Sequence, residues 1–142
     1  MQIKIKRIDK SLPLPEYKTD GAAAFDLYVR NEETIKPHGF VMAPTNFIIK
    51  TPPGYMLMLA PRSSSAKKKG LNMRNGVAII DQDYSGNTDE IHVLIQNLTD
   101  EIKIVERGER IAQGIFVKID KAEWQEVDQM EGESRGGFGT TG

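Results

Sequence analysis

The sequence predicts an all-β domain of sandwich, jelly-roll or barrel type, and three observations carry that reading. Short runs of alternating apolar and polar residues recur along the chain, and Gly- or Pro-rich turn signals separate them. Amphipathic helical periodicity of useful length is almost absent.

The first run covers residues 2–7 and alternates Ile3 and Ile5 with Lys4 and Lys6, which marks a strand and not a signal peptide. Residues 24–29 form a second run. Residues 40–50 read as one continuous strand after Pro37-His38-Gly39, and 55–60 as another after Pro52-Pro53-Gly54. Runs at 76–80, 91–96, 101–105 and 114–119 complete the series. The best helical candidate is 63–69, where serines can cap the amino end and three lysines suit the carboxyl end of the helix dipole. From Asp128 the composition turns polar and glycine-rich, so a compact body at 1–127 and a mobile arm at 128–142 are expected.

Composition narrows the function. A chain of 142 residues fits one domain with a sizeable core. A net charge of -1 argues against a nucleic-acid surface held by bulk electrostatics. With no cysteine there is neither a disulfide framework nor a thiolate metal site. The two histidines, His38 and His92, are too few for a histidine-based metal site. The apolar runs are too short to span a membrane, and a cytoplasmic-type enzyme or binding domain is the expectation.

Five segments can carry chemistry. Pro61-Arg62-Ser63-Ser64-Ser65 opens the candidate helix and gathers backbone N–H groups, hydroxyls and a guanidinium, as an anion site needs; an ordinary capped helix with an exposed arginine reads equally well. Asp81-Gln82-Asp83-Tyr84-Ser85-Gly86 ends an apolar strand, where a carboxylate can be partly desolvated and held as a general base, or simply build a β-turn. It is not a calcium loop, because the remaining ligand pattern is missing. Gly108-Glu109-Arg110-Ile111-Ala112-Gln113 lies between two expected strands, and Arg110 and Gln113 can reach a ligand or pair with local backbone. Small residues precede Asp26 in Asp20-Gly21-Ala22-Ala23-Ala24-Phe25-Asp26-Leu27, so another element can approach closely. The tail Arg135-Gly136-Gly137-Phe138-Gly139-Thr140-Thr141-Gly142 has the parts of a flap over a nucleotide: a ring to stack, a cation, and amide and hydroxyl donors. A linker-like terminus has the same composition.

In this order, the five segments resemble the five motifs of the homotrimeric deoxyuridine triphosphate nucleotidohydrolases (dUTPases). The matches are Ala23-Ala24-Phe25-Asp26-Leu27, Pro61 to Ser65, Asn75-Gly76 through Ile80 to Gly86, Gly108 to Gln113, and Arg135 to Gly142. The resemblance implies a jelly-roll or β-clip type distorted barrel with one short helix. It further implies a homotrimer whose active sites are shared between subunits, the arm of one chain closing over a site built by the others. The implied reaction is Mg2+-assisted hydrolysis of dUTP to dUMP and pyrophosphate, which limits uracil incorporation into DNA and supplies dUMP for dTTP synthesis. By the same resemblance Asp81 is the base that activates water, and Asp26 positions the metal through water. Arg62, Ser63, Ser64 and Gln113 hold the triphosphate, and Tyr84 packs under the deoxyribose. Asn75, Gly76 and the backbone of a 75–81 hairpin read the uracil edge. Phe138 stacks on the base, Gly139 contributes its amide, and Arg135 contacts the γ-phosphate.

Two departures from the family pattern stand out. The last motif is shorter than usual between Arg135 and Phe138. The segment Asn87-Thr88-Asp89-Glu90 is longer than in many members, and its acidic residues could alter metal or substrate affinity. Two competing readings follow from the same residues: a dCTP deaminase of this fold, for which Glu90 is the nearest glutamate, and a trimer that binds dUTP without turnover.

Overall fold

A computed structural model describes residues 1–137 and 139 of the chain. Its strands, in chain order, are β1 (Ile5–Arg7), β2 (Phe25–Tyr28), β3 (Glu33–Ile35), β4 (Phe40–Pro44), β5 (Phe47–Ile49), β6 (Tyr55–Pro61), β7 (Leu71–Met73), β8 (Ala78–Ile80), β9 (His92–Asn97), β10 (Lys103–Val105) and β11 (Arg110–Lys118). The helix α1 (Ser63–Lys69) follows β6. The fold is all-β with one short helix among the described residues, as the sequence predicts.

Two larger sheets face each other. One has the order β2-β11-β6-β8 and the other β4-β9-β7; β1-β5 and β3-β10 are two-stranded ribbons at the margins. Every pairing is antiparallel. Alternation along the strands explains the layering: β9 reads half-buried, buried, half-buried along its length, so Val93 and Ile95 point inward and His92 and Leu94 outward. Leu27, Leu57 and Leu59 from one sheet meet Leu71, Met73, Val93 and Ile95 from the other in a single core. Each such side chain, once buried, contributes roughly 1.5–3 kcal/mol of transfer free energy.

The stretch 40–50 is two strands, not one. Thr45 and Asn46 interrupt it, and Asn46 has φ 75°, a left-handed conformation that asparagine tolerates better than most residues. Its amide side chain bonds the backbone of Asp9 in both directions, accepting from N at 2.6 Å and donating to O at 2.9 Å. The three-residue strands β3 and β7 are too short to have shown a period.

The helix matches its expected span, with Lys67, Lys68 and Lys69 in its last turn. Its amino end differs from expectation: Arg62 is the cap residue, in extended conformation, and no side chain caps the helix. Gly70 ends it with φ 65°, and a Cβ there would lie 2.3 Å from Thr99 Cγ2, so only glycine fits.

Just after β11 the Ile119 N–H donates to the Gly54 carbonyl at 2.9 Å. Residues 120–137 then run without helix or strand, and Trp124 is 94% exposed. Among the described residues, no helix is long and apolar enough to cross a membrane.

Candidate active site

Asp26 is the second residue of β2 and is buried. A lone buried carboxylate is unfavourable, and two guanidiniums compensate it. Arg62 Nε lies 2.8 Å from Oδ1 and Arg110 Nη1 lies 3.0 Å from Oδ2. Topology explains the meeting: β11 pairs with β2 on one side and β6 on the other. Arg110 therefore stands opposite Tyr28, and Arg62 emerges just past the end of β6. A register shift between Arg110 and Ala112 re-aims the start of β11 toward this point.

Arg62 is held a second time, through Nη1 to the Arg110 carbonyl at 3.2 Å. Gln113, half-buried on β11, donates Nε2 to the Pro61 carbonyl at 3.0 Å. Arg62, Ser64, Lys68 and Arg110 line one cleft of about 160 Å³; Ser63 is exposed and does not line it. The expected segment 108–113 is not a loop between strands, since Arg110–Gln113 lie within β11. The Asp26–Arg110 contact has no local signal in the sequence, where Arg110 is free to reach a ligand or pair with local backbone. The cleft carries more positive than negative charge and presents guanidinium, ammonium and hydroxyl donors, a suitable bed for a polyphosphate.

Asp81 lies elsewhere. It follows β8, borders a second cleft of about 320 Å³ with Tyr55, Met56 and Lys121, and is exposed. No side-chain partner for its carboxylate exists among the described residues, so the partial desolvation expected of a base is not present within one chain. Ile80 pairs with Leu57, so Asp81 stands beside Met56, and Arg62 lies six residues further along the same strand direction. At about 3.3 Å per residue, roughly 20 Å of strand separate Asp81 from Arg62. Within one chain Asp81 and Arg62 therefore lie towards opposite ends of β6.

Tyr84 is partly exposed, and its hydroxyl donates to the Glu90 carbonyl at 3.1 Å. Asn75 and Gly76 are exposed at a turn, with Gly76 at φ 70°. The expected 75–81 hairpin is not closed by its own pairing: β7 before it pairs with β9, and β8 within it pairs with β6, so the turn crosses from one sheet to the other. Arg135 and Gly139 are exposed, and the Phe138 assignment lies outside the described residues.

Glu90 is not an available acid. It is buried, and Arg30 grips it in a two-pronged pair, Nε–Oε1 and Nη2–Oε2 both at 2.9 Å. The Asn46 N–H donates to Oε1 at 2.8 Å. Burial pushes the carboxyl pKa upward, but Arg30 and the Asn46 amide outweigh it and hold it below the ordinary value. Asp89 is also engaged, accepting from Gly86 N at 2.6 Å. The acidic residues of the longer segment therefore fasten the loop instead of serving a ligand. No glutamate is left here to act on a base ring.

Among the described residues there is no group of three or more acidic or histidine side chains able to hold a metal. The donor set does not fit a cation caged by protein alone. It fits a hard cation brought in on phosphates, for which one carboxylate acting through water is enough.

The family model for dUTPase matches residues 10–142. The deoxyuridine 5'-triphosphate nucleotidohydrolase of Dictyoglomus turgidum is 38% identical over 148 residues, covering 100% of this chain and 99% of that protein. The crystal structure of dUTPase from Streptococcus mutans is 32% identical, with a TM-score of 0.77 over 84% of this chain and 98% of that one. A mutant dUTPase from phage phi11 of S. aureus, described with a structural Mg(II) ion, is 19% identical with a TM-score of 0.81 over 92% of this chain and 99% of that one, a likeness of fold. The motifs, the sheet order and these likenesses agree, and the chain belongs to the dUTPase family.

Proposed function

We propose that this protein hydrolyses dUTP to dUMP and pyrophosphate. The observation that carries the reading is the meeting of Asp26 with Arg62 and Arg110, drawn from three segments far apart in sequence, beside a cationic cleft that the two arginines line.

In this reading Arg62, Ser63, Ser64 and Gln113 hold the β- and γ-phosphates, and Asp26 orients the Arg62 and Arg110 guanidiniums. Asp81 takes a proton from water as the water oxygen attacks the α-phosphorus in line. The bond to the bridging oxygen breaks, and the leaving pyrophosphate keeps the electron pair. Mg2+ bound to the triphosphate would neutralise its charge, with Asp26 reaching it through water. Tyr84 lies under the deoxyribose, and Asn75 with Gly76 reads the uracil edge. The arm 128–142 closes over the site, bringing Phe138, Gly139 and Arg135 to base and phosphates.

The separation of roughly 20 Å along β6 supports a homotrimer with shared active sites. A triphosphate is far shorter than that span, which favours Asp81 of one chain meeting the Arg62 cleft of another. A neighbouring chain would also cover Asp81 and give it the desolvation it lacks alone. A cytoplasmic location, where nucleotide pools lie, accords with this reading.

Pyrophosphate release from dUTP with Mg2+ is the test. Turnover of dUTP without release of ammonia from dCTP is expected, and absence of dUTP turnover overturns the proposal.

A further inference from the structure

Glu90 is a buried acid that the reaction does not use, and its surroundings give it another task. Its backbone carbonyl receives the Tyr84 hydroxyl at 3.1 Å and also faces His92 Nδ1 at 2.8 Å. Its carboxylate is fixed by both arms of Arg30 and by the Asn46 N–H. Asn46 is itself immobilised on Asp9. The phenol of Tyr84 therefore ends on a carbonyl whose own residue is anchored on two strands' ends. The rest of the loop is tied separately: Lys50 Nζ donates to Gln82 O at 3.1 Å, Lys6 Nζ to Asn87 O at 2.9 Å, and Gln82 Nε2 to Tyr55 O at 2.9 Å.

We propose that Glu90, clamped by Arg30, is a positioning residue for sugar selectivity: it fixes the carbonyl that holds the Tyr84 hydroxyl, and so sets the ring's distance from the sugar's 2′ position. The inference rests on the reading of Tyr84 as the residue under the deoxyribose. A ring free to tilt leaves room for a 2′-hydroxyl, so loosening the clamp admits UTP. The discrimination here is steric, and steric discrimination depends on how rigidly the wall is held.

The test compares kcat/KM for dUTP and UTP in wild type, Tyr84→Phe, Glu90→Gln and the double variant, with thermal unfolding of each. Tyr84→Phe keeps the ring and removes the tether; the dUTP/UTP ratio should fall about five- to tenfold, the worth of one hydrogen bond. Glu90→Gln should lower it in the same direction. The double variant should be no less selective than the weaker single, because both changes break one tether. A purely structural Glu90 would lower the melting temperature and leave the ratio alone. An unchanged ratio in Tyr84→Phe, or losses that multiply in the double variant, overturns the inference. Wild type without dUTP turnover overturns the underlying reading and the inference with it.

Discussion

Asp26 Oδ1 stands 2.8 Å from Arg62 Nε, joining the start of β2 to the residue that caps α1. Arg62 occupies the N-cap position, with the extended backbone usual there, and commits its side chain to the buried carboxylate instead of to the helix's first N–H groups. Asp26→Asn keeps the shape and removes the charge. Two guanidiniums then lose their anchor, and kcat/KM for dUTP should fall at least about tenfold, with a stability loss of about 1–3 kcal/mol in urea titration. Wild-type kinetics in this variant would remove Asp26 from the site.

The distance along β6 makes a complementation experiment decisive. Asp81→Asn should bind dUTP but lose about 10²–10⁴ in turnover, the usual worth of a general base. Arg62→Ala should be inactive for want of phosphate binding. Refolded together, the two should recover activity well above the sum of the separate preparations, because some shared sites then draw Asp81 from one variant and Arg62 from the other. No recovery would mean that both residues act within one chain.

Acid should expose the Glu90 clamp. Its carboxyl lies below its ordinary value of 4.5 in the folded protein because Arg30 and the Asn46 N–H outweigh burial, with His92 adding a smaller favourable charge. A depressed carboxyl stabilises the fold above its unfolded value, and that contribution is lost as pH falls through the lower folded value. The urea midpoint should therefore drop as the pH falls below about 4.5. Glu90→Gln should flatten that slope and start from a lower midpoint. Asp9, held down by Ser11 and then by Arg107, loses its part in still stronger acid.

Gly114 lies against Phe25, where a Cβ would come within 2.5 Å of the ring's Cζ. Gly114→Ala should destabilise by about 1–3 kcal/mol, as overpacking does in a closed core. Because Phe25 precedes Asp26, activity should fall at temperatures where the fold is still intact. A neutral effect in both assays would show that the ring can shift freely.

Removing residues 128–142 should leave the melting temperature within a few degrees of wild type, since no strand or helix lies beyond Lys118 among the described residues. Loss of stacking by Phe138 alone predicts at least about a tenfold fall in kcat/KM. Full activity in the truncated protein would end the lid assignment.

Much of the fold was legible because the alternation of Ile91, Val93 and Ile95 with polar or half-exposed neighbours, and the short apolar runs 55–60 and 114–119 between turn signals, are the imprint of two facing sheets. The helix was legible to the residue, since a Ser/Ala/Lys run ending in Gly70 has few other uses. What periodicity misses is a reversal of φ inside a run: Asn46 splits 40–50 without disturbing its apolar pattern. Contacts between distant residues were equally hidden. Arg30 and Glu90 are 60 positions apart, and nothing local to either marks the other. Residue types alone say nothing of the distance between Asp81 and Arg62; the register of β6 and β8 is what sets them apart within a single chain.

The chain's single tryptophan, Trp124, protrudes almost wholly into water. Its emission should accordingly be red-shifted and easily quenched by iodide in the isolated polypeptide. Any association that packs protein against this stretch would announce itself as a move to shorter wavelength, giving the molecule an optical gauge of assembly without an added label.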